Sequence, residues 1–540
     1  MYTIVYLGVT LLKLVDFKKG IVMKKLLIVW LMVSGVFLAH ADNLWNKPSD
    51  TPPQKPVKEL TFIAYYFNKA VLNNIYARNE FLKGQVVGRL FGGNTTNTSS
   101  SESFYFEQRL LPFFIYQPKL FDGRAILRAS FEIDWTWGDA AYGVGGNFGS
   151  GFSGDQVNIQ TQNVELELIP AKGWAVNLGL QRLFDTPYNP YRTFFDTMNL
   201  TGYRLAFWGS DAVGISVRHD RDFVRYKAGY YQLYENNIEQ KDDVALWEFM
   251  VEKDLTKTWR QGFSLWYVQD RASGEGGVSI LGEGLNSLLN DYNGVFRFNT
   301  IGSDRYKADI FWLGTNWNRN PEYTLGRVSF NGFMVANLGK VNVNRAGVTE
   351  KIADISGVAA NIRTGYRYGQ TKWDVVESDF IFSSGDKNGV NDKKYSGVIT
   401  GNTWGSPGAI FISSGAYLVF PHGNVVNRYI SLVPDLSNMG RGLMGGTVNL
   451  KKAFIPNKLY GKVGAAHASS VTSSPGGGNV VGSEANFMVG YQAGVFMNIE
   501  IHGAYAWLGD FYESQQTNGG VTERPANPWT LFLAFKWLMF

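Results

Sequence analysis

Apolar and polar positions alternate along most of this chain with a period of two. Between Arg124 and Trp137, one set of positions carries Ala125, Leu127, Ala129, Phe131, Ile133, Trp135 and Trp137. The other carries Arg124, Ile126, Arg128, Ser130, Glu132, Asp134 and Thr136. Successive side chains of a β-strand point to opposite faces, so this segment predicts a strand with one apolar wall and one largely charged wall. Trp174, Val176, Leu178 and Leu180 alternate with Ala175, Asn177, Gly179 and Gln181. Val213, Ile215 and Val217 alternate with Gly214, Ser216 and Arg218, and Tyr306, Ala308, Ile310 and Trp312 with Lys307, Asp309 and Phe311. Further runs are expected at 226–234, 244–251, 263–268, 323–338, 362–368, 373–382, 443–454, 459–466, 487–507 and 529–540, separated by clusters of Gly, Asn, Asp, Ser and Pro that read as turns.

Strands of this length suit a tilted bilayer crossing, and after residue 41 no stretch of 18 or more consecutive apolar residues offers a spanning helix. A soluble sandwich would also alternate, but it would turn the apolar face into a dry core. Here the other face is often charged and the apolar face often ends in Trp or Tyr, the polarity of a barrel with lipid outside and a wet lumen inside. The expected fold is therefore all-β, a transmembrane antiparallel β-barrel of about 16–18 strands, with 18 favoured; barrels of that size leave an aqueous channel. Residues 57–77 read either as a first strand or as an amphipathic helix.

The beginning of the chain reads differently. Met23-Lys24-Lys25, an apolar run from Leu26 to Leu38, and Ala39-His40-Ala41 before Asp42 describe a secretory signal peptide over 1–41 with a possible upstream extension. Residues 42–60, with Pro48, Pro52, Pro53 and Pro56, read as a periplasmic lead-in, and 61–540 as the barrel. The formal net charge of +5 owes most of its excess to Lys13, Lys18, Lys19, Lys24 and Lys25, so no nucleic-acid partner is implied.

Composition agrees. Of 540 residues 61 are Gly, aromatics make up 15%, and there is no Cys, which excludes disulfides, thiolate metal sites and a thiol nucleophile. Five His leave little imidazole for metal or acid–base chemistry. No cofactor motif is found. His219 and Asp220 stand together without a Ser motif, and Asp386–Asp392 looks like a calcium loop whose Gly389 is misplaced, so an Asn-Gly turn is the simpler reading.

Four phrases point further: Tyr105-Phe-Glu-Gln-Arg-Leu110, Leu178-Gly-Leu-Gln-Arg-Leu183, Ser383-Ser-Gly-Asp-Lys-Asn388 and Leu508-Gly-Asp-Phe-Tyr512. In this order they resemble the alginate-export type of Gram-negative outer-membrane porin, which implies an 18-strand barrel in the outer membrane. The closing run Trp529–Phe540 resembles the signal that barrel-assembly machinery reads, with Phe540 as its terminal aromatic and Lys536 out of phase.

Charged side chains on strands would cost about 2–4 kcal/mol for Arg or Lys against lipid at the midplane, and so should face the lumen. Arg109, Arg124, Arg128, Arg182, Arg204, Arg218 and Arg367 are the candidate pore lining, beside carboxylates such as Glu132, Asp134, Glu165 and Glu167. Guanidinium groups hold carboxylates in bidentate fashion, so the expected function is passive passage of small or chain-like hydrophilic, anionic solutes, and not catalysis. Cross-strand pairing that merely stiffens the wall is the competing role for each arginine. Two other functions stay open: a barrel housing a secreted partner such as an electron carrier, or a barrel enzyme. Segments 271–293 and 390–423 are long enough to be external loops that fold inward.

Overall fold

The computed structural model describes residues 55–77, 86–91, 96–137, 156–181, 183, 212–221, 223–235, 238–240, 242–272, 298, 305–399, 415–426, 428–433, 435–518 and 524–539. The expected signal segment, Arg182, Arg204 and Phe540 lie outside them. In chain order the strands are β1 (Leu60–Ala77), β2 (Val86–Arg89), β3 (Thr96–Tyr116), β4 (Ala125–Trp137), β5 (Gln156–Leu168), β6 (Trp174–Gln181), β7 (Ala212–Arg221), β8 (Val224–Tyr234), β9 (Val244–Asp254), β10 (Trp259–Asp270), β11 (Tyr306–Arg319), β12 (Val328–Arg345), β13 (Val348–Arg367), β14 (Val375–Ser383), β15 (Lys394–Tyr395), β16 (Arg428–Ser431), β17 (Leu443–Ile455), β18 (Leu459–Ser469), β19 (Val480–Gly494), β20 (Met497–Leu508) and β21 (Trp529–Met539).

Each long strand pairs with its neighbour in sequence, and β1 closes the ring by pairing antiparallel with both β21 and β3. Leaving aside the two-residue β15, this is a closed antiparallel barrel of eighteen strands; β2 and β16 form a separate parallel pair. Residues 57–77 thus resolve to a strand. Closure satisfies both edges of every strand, which a sheet in hydrocarbon requires. Apart from the two-residue β12–β13 turn, short turns gather at one end and long connections at the other, the arrangement of periplasmic turns and extracellular loops.

Outside, the apolar stripes are exposed: Phe106, Leu127, Ile215, Phe249, Phe380, Val463, Ile501 and Leu533 all project from the wall. On the last strand Leu531, Leu533 and Trp537 are exposed while Thr530, Phe532 and Ala534 are buried inside. The residue out of phase in the sequence pattern, Lys536, bonds to Glu500 at 2.6 Å, which accounts for its phase.

The expected face of β11 is reversed. Tyr306, Ala308, Ile310 and Trp312 are buried within the barrel, at 0–1% exposure, while Lys307 is exposed on the outside. The same holds at the loop end of β12 and β13, where Val341, Val343, Ala353 and Ile355 face in and Lys340 and Lys351 face out. Past the bilayer the surroundings are water, so the strand returns to the soluble rule of apolar inside and polar outside. The inner apolar faces are covered by Phe298, Val390, Tyr395, Val398 and Ile399.

At the opposite end the β13–β14 turn is fastened by Asp374. Its Oδ2 accepts from the Thr371 backbone N–H at 3.0 Å and the Thr371 hydroxyl at 2.9 Å, and its Oδ1 from Lys452 Nζ at 3.1 Å. The Thr371 backbone bond first, then Lys452, hold this carboxyl well below the ordinary carboxylate range, against the effect of desolvation. Asp374→Asn is expected to lower the urea midpoint of the folded barrel at neutral pH. The wild-type advantage is present above about pH 4 and is lost as pH falls toward the lowered folded-state value; equal midpoints for both proteins at neutral pH would contradict it.

Candidate functional site

The inner face of β3–β10 is built of opposite charges placed by strand register. Arg109 lies directly across from Asp134, and Arg128 from Glu165. Arg109 donates from Nε and Nη2 to the two Asp134 oxygens, each at 2.8 Å, lies 2.6 Å from Glu132, and donates to the Val426 carbonyl at 2.7 Å. Arg128 donates to Glu165 at 3.0 Å and Glu167 at 3.3 Å. Glu167 also accepts from Arg218, so one carboxylate ties β5 to both β4 and β7. Farther round, Lys227 meets Glu248 at 3.3 Å, and Asp254 bridges Arg225 and Arg260. Removing one partner of such buried pairs strands a charge, which costs about 3–5 kcal/mol.

Two arginines lie elsewhere. Arg124 is exposed one residue before β4 and donates to the Pro170 carbonyl at 3.2 Å. The chain enters the strand only after a 3-10 turn at Lys119–Phe121 and left-handed Asp122 and Gly123, which leaves Arg124 on the short-turn rim and not in the lumen wall. Arg367 sits at the same end of β13, donating to the Tyr323 carbonyl at 2.8 Å with its guanidinium 5.6 Å over the Tyr323 ring. Of the remaining sequence candidates, His219 faces out against Trp174, with ring centroids 4.4 Å apart, while Asp220 approaches Arg225 at 3.7 Å. They do not converge. The Asp386 carboxylate is spent on the backbone N–H groups of Asn388 and Ser396, each at 2.9 Å, as in a turn.

The connection from β14 to β17 does fold inward. On one wall, the Ile399 N–H donates to Asn337 Oδ1 at 2.8 Å and its carbonyl accepts from Trp312 Nε1 at 3.0 Å. On another wall three consecutive N–H groups, of Tyr417, Leu418 and Val419, donate to the buried Glu484 carboxylate at 2.8, 2.9 and 2.8 Å. The same segment hydrogen-bonds to residues 432 and 433 at 2.8 and 3.0 Å. The Tyr417 hydroxyl pairs with His502 Nδ1 at 2.8 Å, His502 Nε2 lies 2.9 Å from Glu500, and Glu500 also accepts from Tyr460 at 2.8 Å. Lys462 Nζ stands 4.2 Å from the Tyr417 ring centroid. Burial, with Glu500 and Glu484 nearby, pushes the Tyr417 phenol above its ordinary range. Desolvation beside Lys69, His502, Lys462 and Lys536 holds His422 well below its own.

Sequence reading missed Glu484, Lys462, Glu500 and Lys69. Their signal was the inward phase of strands whose outward phase was already recognised: Ala485, Phe487 and Val489 outside place Glu484, Asn486 and Met488 inside.

With apolar side chains outside, charge inside and no open edge, this is an outer-membrane barrel of the Gram-negative type. No protein-family model and no curated protein sequence matches the chain. Among solved structures it is similar to OccAB1 of Acinetobacter baumannii, at 11% identity over 92% of this chain and 100% of that one with a TM-score of 0.47. It is also similar to Pseudomonas aeruginosa OpdQ, at 9% identity over 90% and 99% with a TM-score of 0.45. A third is Pseudomonas aeruginosa OpdK with vanillate, at 11% identity over 88% and 98% with a TM-score of 0.44.

Proposed function

We propose that this barrel is a passive outer-membrane channel, not an enzyme, for small hydrophilic solutes. The supporting observation is the combination of a closed eighteen-strand wall, a charged inner face on β3–β10, and a polypeptide segment seated across part of the lumen. Eighteen strands enclose more room than their own side chains fill, and a seated segment sets the size of what passes. Preference for anionic solutes is the narrower part of the proposal. The inward guanidinium groups of Arg109, Arg128 and Arg218 support it, and an arriving carboxylate must compete with the one each arginine already holds. Kinship with the alginate-export type rests on the four short phrases alone.

Planar-bilayer recording tests the channel directly. Stepwise currents with a reversal potential displaced toward anions are expected in a salt gradient. Electrical silence of folded, inserted protein would overturn the channel reading, and a displacement toward cations would remove the anionic part while leaving the channel.

A further inference from the structure

The outer surface at the long-loop end carries two consecutive cross-strand rows of contrasting chemistry. In the first, Tyr230, Trp247, Tyr267 and Phe311 stand directly opposite one another on β8, β9, β10 and β11. Their rings form a continuous ladder, with centroids 5.3, 5.1 and 4.4 Å apart in turn. Aromatic side chains of this kind mark the bilayer interface. The ladder ends at Phe311; two residues farther along β11, about 7 Å at the rise of a strand, a charged row starts at Asp309 and continues the wall in the other direction, over β12, β13 and β15. Asp309 faces Lys340, Lys340 faces Asp354, and Asp354 faces Lys394. One step beyond, Lys307 and Lys351 flank Asn342.

Both carboxylates of this shelf are already engaged. Asp309 accepts from the Tyr267 hydroxyl at 2.6 Å and from Arg271 at 2.8 Å, and Asp354 from Lys351 at 2.8 Å. Lys307, Lys340 and Lys394 are exposed, and among the described residues no ion pair engages them. Three ammonium groups are thus held on β11, β12 and β15, beside and a step beyond the β11 end of an aromatic row that sets the depth of the lipid.

The geometry points to a lipid-headgroup site: Lys307, Lys340 and Lys394 hold the phosphate groups of an outer-leaflet glycolipid whose acyl chains lie against the Tyr230–Phe311 ladder. Charge and depth are complementary to that ligand, since cationic side chains at a membrane surface attract anionic headgroups individually and additively. The site is external to the lumen and independent of which solute, if any, the barrel conducts.

The test uses the full-length protein in detergent, exposed to diphosphorylated lipid A or to the same lipid with its phosphates removed, with bound lipid counted by native mass spectrometry. Wild type is expected to retain the diphosphorylated form at least about tenfold better. K307Q/K340Q/K394Q should lose that preference, whereas K119Q/K172Q/K458Q, altered at the short-turn end, should keep it. Heat-modifiable gel mobility confirms that each variant is folded. Equal retention of the two lipids by wild type, or an undiminished preference in the first variant, overturns the proposal. Channel conductance is a separate readout: a silent barrel that retains the lipid would refute the channel and leave this site standing.

Discussion

Glu484→Ala is expected to raise single-channel conductance and to expose the segment 415–426 to protease while the barrel stays folded. On one side of that segment three successive N–H groups converge on the two Glu484 oxygens. Removing the carboxylate leaves three buried donors without a partner, at about 1–3 kcal/mol each, and the segment is then held by its bonds to Leu432, Val433 and His502 and by its apolar contacts. Barrel strand pairing does not depend on Glu484, because the β18–β19 and β19–β20 ladders run through backbone groups. Glu484→Gln is the gentler variant: one oxygen still accepts, while the amide N–H₂ faces donors, so its conductance should fall between wild type and Ala. Identical conductance and identical proteolysis in wild type and both variants would show that the segment is held by other contacts.

The second large effect separates the two roles of the arginines. Arg128→Gln takes from Glu165 the guanidinium it bonds and leaves it only the more distant field of Arg218, whereas Glu167 keeps its bond to Arg218. Stranding a buried carboxylate costs about 3–5 kcal/mol, so the single variant should unfold at clearly lower denaturant than wild type. Arg128→Gln with Glu165→Gln removes both charges of the pair and should recover most of that loss. Selectivity then decides the role. If Arg128 guides anions, the reversal potential moves toward cations in the single variant and does not return fully in the double one. A reversal potential unchanged in both variants makes Arg128 a strut between β4 and β5.

Much of this architecture was legible in the chain because it is local. A period of two, turn clusters and aromatic positions are properties of about ten consecutive residues, and they implied an all-β barrel; the expectation of 16–18 strands, with 18 favoured, came from chain length, and the wall has eighteen. Register did the rest for Arg128 and Arg218, whose phase relative to apolar neighbours set them inside; β3, which carries Arg109, was not legible as a strand. What stayed hidden depends on partners far away in sequence. The inversion of β11 follows from where the bilayer ends, which no run of side chains announces by itself; Tyr306 to Trp312 alternates equally well for either surrounding. The grip of Glu484 on Tyr417, Leu418 and Val419 joins residues more than sixty positions apart and uses backbone N–H groups, which carry no sequence signature. Arg124 shows how sharp the margin is: one position before the strand begins, the same residue type belongs to a turn.

The hairpin joining β12 to β13 turns on just Ala346 and Gly347, both with positive φ, at 48° and 82°. Both strands reach this tip already in their water-adapted phase, so the ribbon carries its own two-sided surface out from the cell. A peptide epitope spliced between those two residues would therefore be displayed to antibodies on intact bacteria, without disturbing either the lipid-facing belt or the conduit below.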